Sequence, residues 1–170
     1  MRRVLVIGIS GAGKSTFSRA LAARTGLPLI HLDKEFWQPG WQITRKPEWR
    51  AKVAKLVAGD AWIMDGNFDG TLDLRLPRAD TVVWFDYPTH VCLRRAVWRV
   101  VTTYGRVRPD LAEGCPERID LEFLRFIRDF NAKSRPQVAS ALERYGSHVT
   151  RIVIRRDQDA AQFLDGLPAS

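Results

Sequence analysis

Near the amino end, Gly8-Ile9-Ser10-Gly11-Ala12-Gly13-Lys14-Ser15 carries the spacing G-x-x-x-x-G-K-[ST]. Small residues at those positions let a backbone curl around a phosphate chain, and successive N–H groups then point inward at the positive end of a helix. In such a loop Lys14 reaches the β- and γ-phosphates of a nucleotide, and the Ser15 hydroxyl holds Mg²⁺. Gly8, Gly11, Ala12, Gly13 and Thr16 complete the expected phosphate contacts.

Carboxylates come next. Asp65 follows the apolar run Trp62-Ile63-Met64, where it could orient Mg²⁺ or a reacting hydroxyl, or simply shape a turn with Gly66. Asp33 follows Leu29-Ile30-His31-Leu32. A carboxylate there could accept a proton from an acceptor hydroxyl, hold that hydroxyl by a hydrogen bond, or cap the next segment. His31 reads as a buried, hydrogen-bonded histidine. Phe36, Trp37 and Trp41 could wall an acceptor pocket or serve as core for a long connection. Asn67 and Arg75 could touch an acceptor, and Arg75 with Asp73 could equally be a surface pair. A third group is basic: Arg94, Arg95, Arg99, Arg106, Arg108, Arg118, Arg125 and Arg128 flank or occupy one irregular stretch. Guanidinium forks suit the charge that phosphoryl transfer spreads over the moving group, and two or three of these arginines are expected to meet phosphate.

The elements that would position these residues follow from periodicity. Val4-Leu5-Val6-Ile7 is a continuous apolar run of the kind a strand buried on both faces needs, and Thr16 to Thr25 is helical in spacing with Gly26 as its stop. Further strands are expected at Leu29–Leu32, Trp62–Met64, Thr81–Phe85 and Val149–Ile154. Helices are expected from Pro47 to Gly59, after Pro88 with Val91, Leu93, Val97 and Val100 or Val101 facing the core, over Ile119–Phe130, from Pro136 to Tyr145, and after Asp157. Residues 34 to 46 read as an aromatic-rich connection, and Gly105 to Pro116 as an irregular excursion broken by Pro109, Gly114 and Pro116. Alternating strands and helices predict an α/β fold, a five-stranded parallel sheet with helices on both faces. Sites in such sheets lie at the carboxyl ends of the strands, the edge that Asp33, Asp65, Asp86 and the phosphate loop share.

The 170 residues suit one domain, with an acceptor-side insertion at about 33–60 and an arginine-rich lid at about 100–118. A 45% hydrophobic and 27% charged composition describes a soluble globular chain, no apolar run approaches bilayer length, and the compartment expected is the cytoplasm. Cys92 and Cys115 have no paired spacing, which predicts neither a disulfide framework nor a zinc site. The net charge of +8 implies anionic partners, phosphorylated small molecules or nucleic acid. Acids such as Glu113, Glu117, Asp120, Glu122 and Asp129 interrupt the arginines, so a nucleic-acid stripe is not the favoured reading. Oligomeric state has no signature here.

The chain resembles the adenylate-kinase-like group of P-loop kinases in its phosphate loop, in Asp65-Gly66, and in Phe85-Asp86-Tyr87-Pro88 followed by Arg95 and Arg99. That resemblance implies a P-loop NTPase fold, a lid role for Arg99, for Arg118 and for an arginine near Arg125 or Arg128, and an adenine resting by Arg155 and Arg156. His31-Leu32-Asp33 with Phe36-Trp37 and Pro39-Gly40-Trp41, Asp65-Gly66-Asn67, and Arg108-Pro109-Asp110 with Gly114-Cys115-Pro116-Glu117 are similar to a bacterial subgroup often labelled "DNA topology modulation" proteins. The label implies an effect on DNA, yet no groove-reading element is visible. Asn67-Phe68 stands where adenylate kinases place an arginine, and Asp33 resembles the carboxylate that meets the acceptor hydroxyl in shikimate and gluconate kinases. Together these predict an ATP- and Mg²⁺-dependent phosphotransferase acting on a small hydroxylated or phosphorylated acceptor. Its catalytic set would be Lys14, Asp33, Asp65, Arg99 and Arg118, with Arg99 and Arg156 on the nucleotide and Ser15 and Asp65 on the metal. The alternative is a nucleotide-dependent, DNA-associated regulator or ATPase. No Asn-Lys-x-Asp run that would read guanine is present.

Overall fold

A computed structural model describes residues 1–167. Strands β1 (Arg3–Gly8), β2 (Leu29–His31), β5 (Trp62–Asp65), β6 (Thr81–Phe85) and β7 (Thr150–Ile154) form a single parallel sheet in the order β2-β5-β1-β6-β7. Sequence neighbours β1 and β2 are thus separated by β5, and the crossing leaves a crevice above the carboxyl ends of β1 and β5. β1 is buried along nearly its whole length, and its period-two alternation feeds two cores. Val4 and Val6 join Phe17, Leu21, Phe85, Cys92 and Ala96 on one face, whereas Leu5 and Ile7 join Trp49, Val53, Trp62, Leu72 and Val82 on the other.

Helix α1 (Lys14–Thr25) rises directly from the glycine loop and ends at Gly26, whose φ of 68° and N–H bond to the Ala22 carbonyl form a left-handed stop. The connection after β2 is more ordered than its composition predicts. It holds a short helix α2 (Leu32–Phe36) and an antiparallel hairpin, β3 (Trp37–Gln38) with β4 (Gln42–Ile43), turned at Gly40 and Trp41, both of positive φ. Asp33 therefore lies in the first turn of α2, beyond the strand itself. Helix α3 (Lys46–Leu56) follows, and a 3₁₀ turn and α4 (Leu72–Arg75) lead from β5 toward β6.

Two expectations are corrected on the far side. In α5 (Thr89–Thr103) the buried stripe is Cys92, Ala96 and Val100, so Val97 and Val101 face outward. The expected break before Pro136 is absent. One helix, α6 (Leu121–Tyr145), runs through it. Proline removes a single i→i−4 bond, while Ile127, Phe130, Ser134, Val138 and Leu142 keep an unbroken buried stripe across the site. Ile127 and Phe130 belong to the first core and Val138 and Leu142 to the second, so this helix serves both. A final helix, α7 (Asp157–Asp165), closes against α1. No helix among the described residues is long and apolar enough to cross a membrane.

Candidate functional site

The glycine loop is shaped by close approach as much as by φ. A Cβ at Gly8 would sit 2.2 Å from the Phe85 carbonyl oxygen, and one at Gly11 would sit 2.4 Å from that of Cys92. Gly8 and Gly11 thus let the loop lie against β6 and α5. Gly13 differs: its φ is +91°, and the space above its Cα is open. Its position at the start of α1 leaves the first helical N–H groups facing outward, as an anion requires.

Lys14 is buried, with its ammonium donating to the Ile9 carbonyl at 2.9 Å across the loop. Burial holds it below its ordinary pKa, and the Asp65 and Asp33 carboxylates partly oppose that fall. Asp65, at the end of β5, is also buried and in register with His31 of β2. The His31 Nδ1 lies 2.8 Å from Asp65 Oδ2, so one carboxylate oxygen is occupied by the neighbouring strand. The other, Oδ1, is buried and takes no hydrogen bond among the described residues. A buried acceptor of this kind costs free energy unless something completes it. With Ser15 one residue beyond Lys14 at the start of α1, the donor set suits a Mg²⁺ shared between protein oxygens and nucleotide phosphates.

Asp33 is partly buried, and its carboxyl is raised above the ordinary range by burial first and by the Asp65 charge second. Lys14 and Arg108 pull it back, as does a hydrogen bond from the Trp37 side chain. A carboxylate with elevated basicity near a phosphate loop is suited to taking a proton from a hydroxyl.

The lid supplies the cations. Arg99 of α5 and Arg108 of the excursion converge on one Glu117 carboxylate oxygen, at 3.0 and 2.7 Å, and Arg108 also reaches Asp110 at 3.1 Å. Glu117 and Asp110 are each only 5% exposed, while the two arginines keep about a quarter of their side chains open to solvent. Burial and the neighbouring Arg108 lower the Arg99 guanidinium, and Glu117, Asp110 and Asp33 raise it in that order. The sequence puts Arg99 in the lid set and Arg108 among the arginines expected to meet phosphate, but gives Glu117 no role in the site. The available signal is acids, Asp110 and Glu117, close behind Arg108 in one short stretch, while their pairing across the loop is not readable.

The lid is also fastened to the β3–β4 hairpin. The Gly40 N–H donates to the Gly114 carbonyl at 2.9 Å, the Trp41 indole N–H to Pro116 at 3.0 Å, and the Cys115 thiol to Gln38 at 3.2 Å. Trp37 packs edge-on against Trp41 with ring centroids 5.3 Å apart, which places both rings at the seam between hairpin and lid. Phe36 instead joins Trp49 and Phe68 in an aromatic cluster below.

Other candidates fall elsewhere. Arg118 stacks on Trp41 at 5.4 Å and pairs with Asp120, outside the Lys14–Asp33–Asp65–Arg99 group. Arg156 is exposed and bonds Asp159 at 2.9 Å at the start of α7, and Thr16 is exposed on the first turn of α1. Asp86 is held bidentately by Arg135, which ties α6 to the end of β6, and Arg95 by Asp157, which ties α5 to the start of α7. Arg75 is fully buried rather than at the surface, and Asp73 pairs with Arg50 instead.

No protein-family model matches the chain. It is 32% identical over 134 residues to a shikimate kinase of Paramagnetospirillum magneticum (strain ATCC 700264 / AMB-1), across 69% of this chain and 65% of that protein. It is likewise 32% identical over 108 residues to the uncharacterized protein YqaC of Bacillus subtilis (strain 168), across 61% of this chain and 60% of that one. The chain thus spans 65% and 60% of the length of these curated relatives. Among solved structures it is similar to the shikimate kinase from Acinetobacter baumannii in complex with shikimate, with a TM-score of 0.60 and 16% identity over 97% of this chain and 89% of that one. It is also similar to a gluconokinase from Sinorhizobium meliloti 1021, with a TM-score of 0.55 and 20% identity over 96% and 87%. The five-stranded parallel sheet flanked by helices is therefore the P-loop NTPase fold that such kinases share.

Proposed function

From the P-loop kinase fold we propose that this chain transfers the γ-phosphoryl group of ATP to a hydroxyl of a small acceptor that is not a nucleoside monophosphate. The observation that carries the reading is the buried Lys14 ammonium, folded back on the Ile9 carbonyl of a phosphate-binding loop, with the Asp65 and Asp33 carboxylates close enough to oppose the cost of burying its charge. The loop amides and Lys14 hold the donor phosphates, and Ser15 and Asp65 are the protein groups for Mg²⁺. Bound there, the ion offsets charge on the β- and γ-oxygens. Asp33 aligns the acceptor hydroxyl and accepts its proton as the phosphoryl group moves. Arg99 and Arg108 spread their charge over that group on giving up Glu117. The docked hairpin and lid exclude water, so that the phosphoryl group goes to the acceptor rather than to solvent.

An acceptor without a nucleotide monophosphate is supported by Arg75. The arginine that follows Asp65-Gly66 is committed to backbone carbonyls and offers nothing to a phosphate monoester. A hydroxylated acid or sugar acid fits the remaining polar groups better, in line with the shikimate kinase and gluconokinase similarities. The test is ATP consumption by the full chain with Mg²⁺ against hydroxylated ring acids, sugar acids, nucleosides, nucleoside monophosphates and duplex DNA, with product mass measured. A phosphorylated hydroxy acid supports the proposal. A nucleoside diphosphate would assign a nucleotide acceptor, and hydrolysis stimulated only by DNA in a salt-sensitive way would favour the DNA-associated reading.

A further inference from the structure

Arg75 is a charged side chain with no part in the chemistry above, and it is 0% exposed. No carboxylate among the described residues pairs with it. Its Nε–H donates to Thr71 Oγ1 at 3.1 Å, Nη1 to the Gly66 carbonyl at 3.0 Å, and Nη2 to the carbonyls of Asn67 and of Phe68, the latter at 2.8 Å. Burial draws the guanidinium down to about 9, with only the Asp69 and Asp73 charges raising it, so it remains protonated at neutral pH.

Three successive carbonyls turned toward one side chain repel through their dipoles, and the guanidinium offsets that repulsion with its positive charge and its N–H bonds. The backbone pays in conformation as well: Gly66 has a φ of +142° and Phe68, which is not a glycine, a φ of +35°. A Cβ at Gly66 would lie 2.8 Å from Leu32 Cβ, so the turn also presses on the residue before Asp33. On its other side the turn reaches the phosphate loop. The Gly66 N–H donates to Val6 at 3.1 Å, and the Asn67 side-chain oxygen accepts from the Gly8 N–H at 3.2 Å. Asp65, whose carboxylate is held by His31, is the residue immediately before this turn.

We propose that Arg75 is a positioning residue for the nucleotide site, acting through the Gly66–Phe68 turn and the Asn67 side chain on the root of the phosphate loop at Gly8. It touches neither nucleotide nor acceptor. Lysine is no substitute, because a single ammonium cannot meet three carbonyls and a hydroxyl in the plane that a guanidinium fork spans. The inference rests on the nucleotide-binding reading above.

The test is the affinity of the full-length chain for a non-hydrolysable ATP analogue with Mg²⁺, measured by calorimetry well below the melting temperature of every variant. Asn67→Ala and Arg75→Lys are each expected to weaken binding about tenfold, the scale of one lost hydrogen bond to a charged or preorganised group. The double variant is expected to lose about the same tenfold, because both changes act through one contact. A hundredfold loss in the double variant, or affinities unchanged in the single ones, overturns the proposal, because a purely structural arginine would lower melting temperature without coupling to Asn67. Should Arg75→Lys not fold, Thr71→Val keeps the guanidinium and removes the Nε acceptor together with the hydroxyl's own bond to the Phe68 carbonyl at 2.9 Å. It is then expected to weaken binding about threefold in the wild-type background and not at all beside Asn67→Ala, and additive losses refute the coupling. A wild-type chain that does not bind the analogue removes the nucleotide reading and this inference with it, whereas wild-type binding with unaffected variants removes only the latter.

Discussion

Replacing Asp33 by asparagine separates two consequences of one charge, and they have opposite signs. The carboxyl is raised in the folded chain by burial and by Asp65. A group whose folded pKa lies above its unfolded value adds stability only while protonated in both states, and that contribution is lost as pH rises through the folded value. At neutral pH this raised carboxyl therefore costs stability, and Asp33→Asn should melt at a higher temperature than the wild type. Below pH 3.8, the ordinary value, both forms are neutral and the difference should vanish. The carboxamide oxygen still accepts from Trp37, so no buried donor is orphaned. Activity should move the other way. A lost hydrogen bond to a charged group costs about 1.5–3 kcal/mol, and loss of a general base about 10²–10⁴ in rate, so kcat should fall about a hundredfold or more. The assays are thermal melts at pH 3 and pH 7.5 and single-turnover transfer to whichever acceptor the screen identifies. A lower melting temperature at pH 7.5 would refute the electrostatic account. A kcat within about threefold of wild type would refute the proton-accepting role.

Three further outcomes can be checked independently. Lys14→Met should abolish transfer and weaken ATP-analogue binding by about a hundredfold or more in calorimetry, and full activity would remove the assignment of the loop. Arg99→Ala should lower kcat by about tenfold or more in single-turnover assays, and an unchanged rate would hand its role to Arg108. Gly114→Val places a side chain at a φ of +75° and about 3.0 Å from Pro39 Cβ. That strain, about 1–2 kcal/mol, should raise proteolytic cleavage within residues 105–117 roughly tenfold while the sheet stays intact, and equal cleavage would show the hairpin and lid to be independent.

Where apolar periodicity ran unbroken, the sequence was a sufficient guide: five strands, the loop and α1 lie where Val4–Ile7, Trp62–Met64 and the Gly8–Ser15 spacing place them. It misled where a local preference met tertiary packing. Pro136 is a helix breaker by chemistry, yet Ser134 and Val138 lie on a stripe buried in both cores, and burial outweighs one missing hydrogen bond. Arg75 read as an acceptor contact or as a surface partner of Asp73, and only the folded turn shows three carbonyls that accept from it. His31 was legible as a hydrogen-bonded strand histidine, but its partner Asp65 lies 34 residues away and is fixed by strand order, which no local pattern encodes. The candidate residues were thus readable one at a time, while their pairings belonged to topology.

The stitching of the hairpin to the lid has a kinetic corollary. Donor-side and acceptor-side flaps that swing separately would let either ligand leave while the other stays. Here Gly40, Trp41 and Gln38 are joined to Gly114, Pro116 and Cys115, so the hairpin and residues 105–117 are tied to one another. Under the proposed transfer reaction such a tie would make the two sides open together, each ligand would lengthen the residence of the other, and departure of product would become the slow stage.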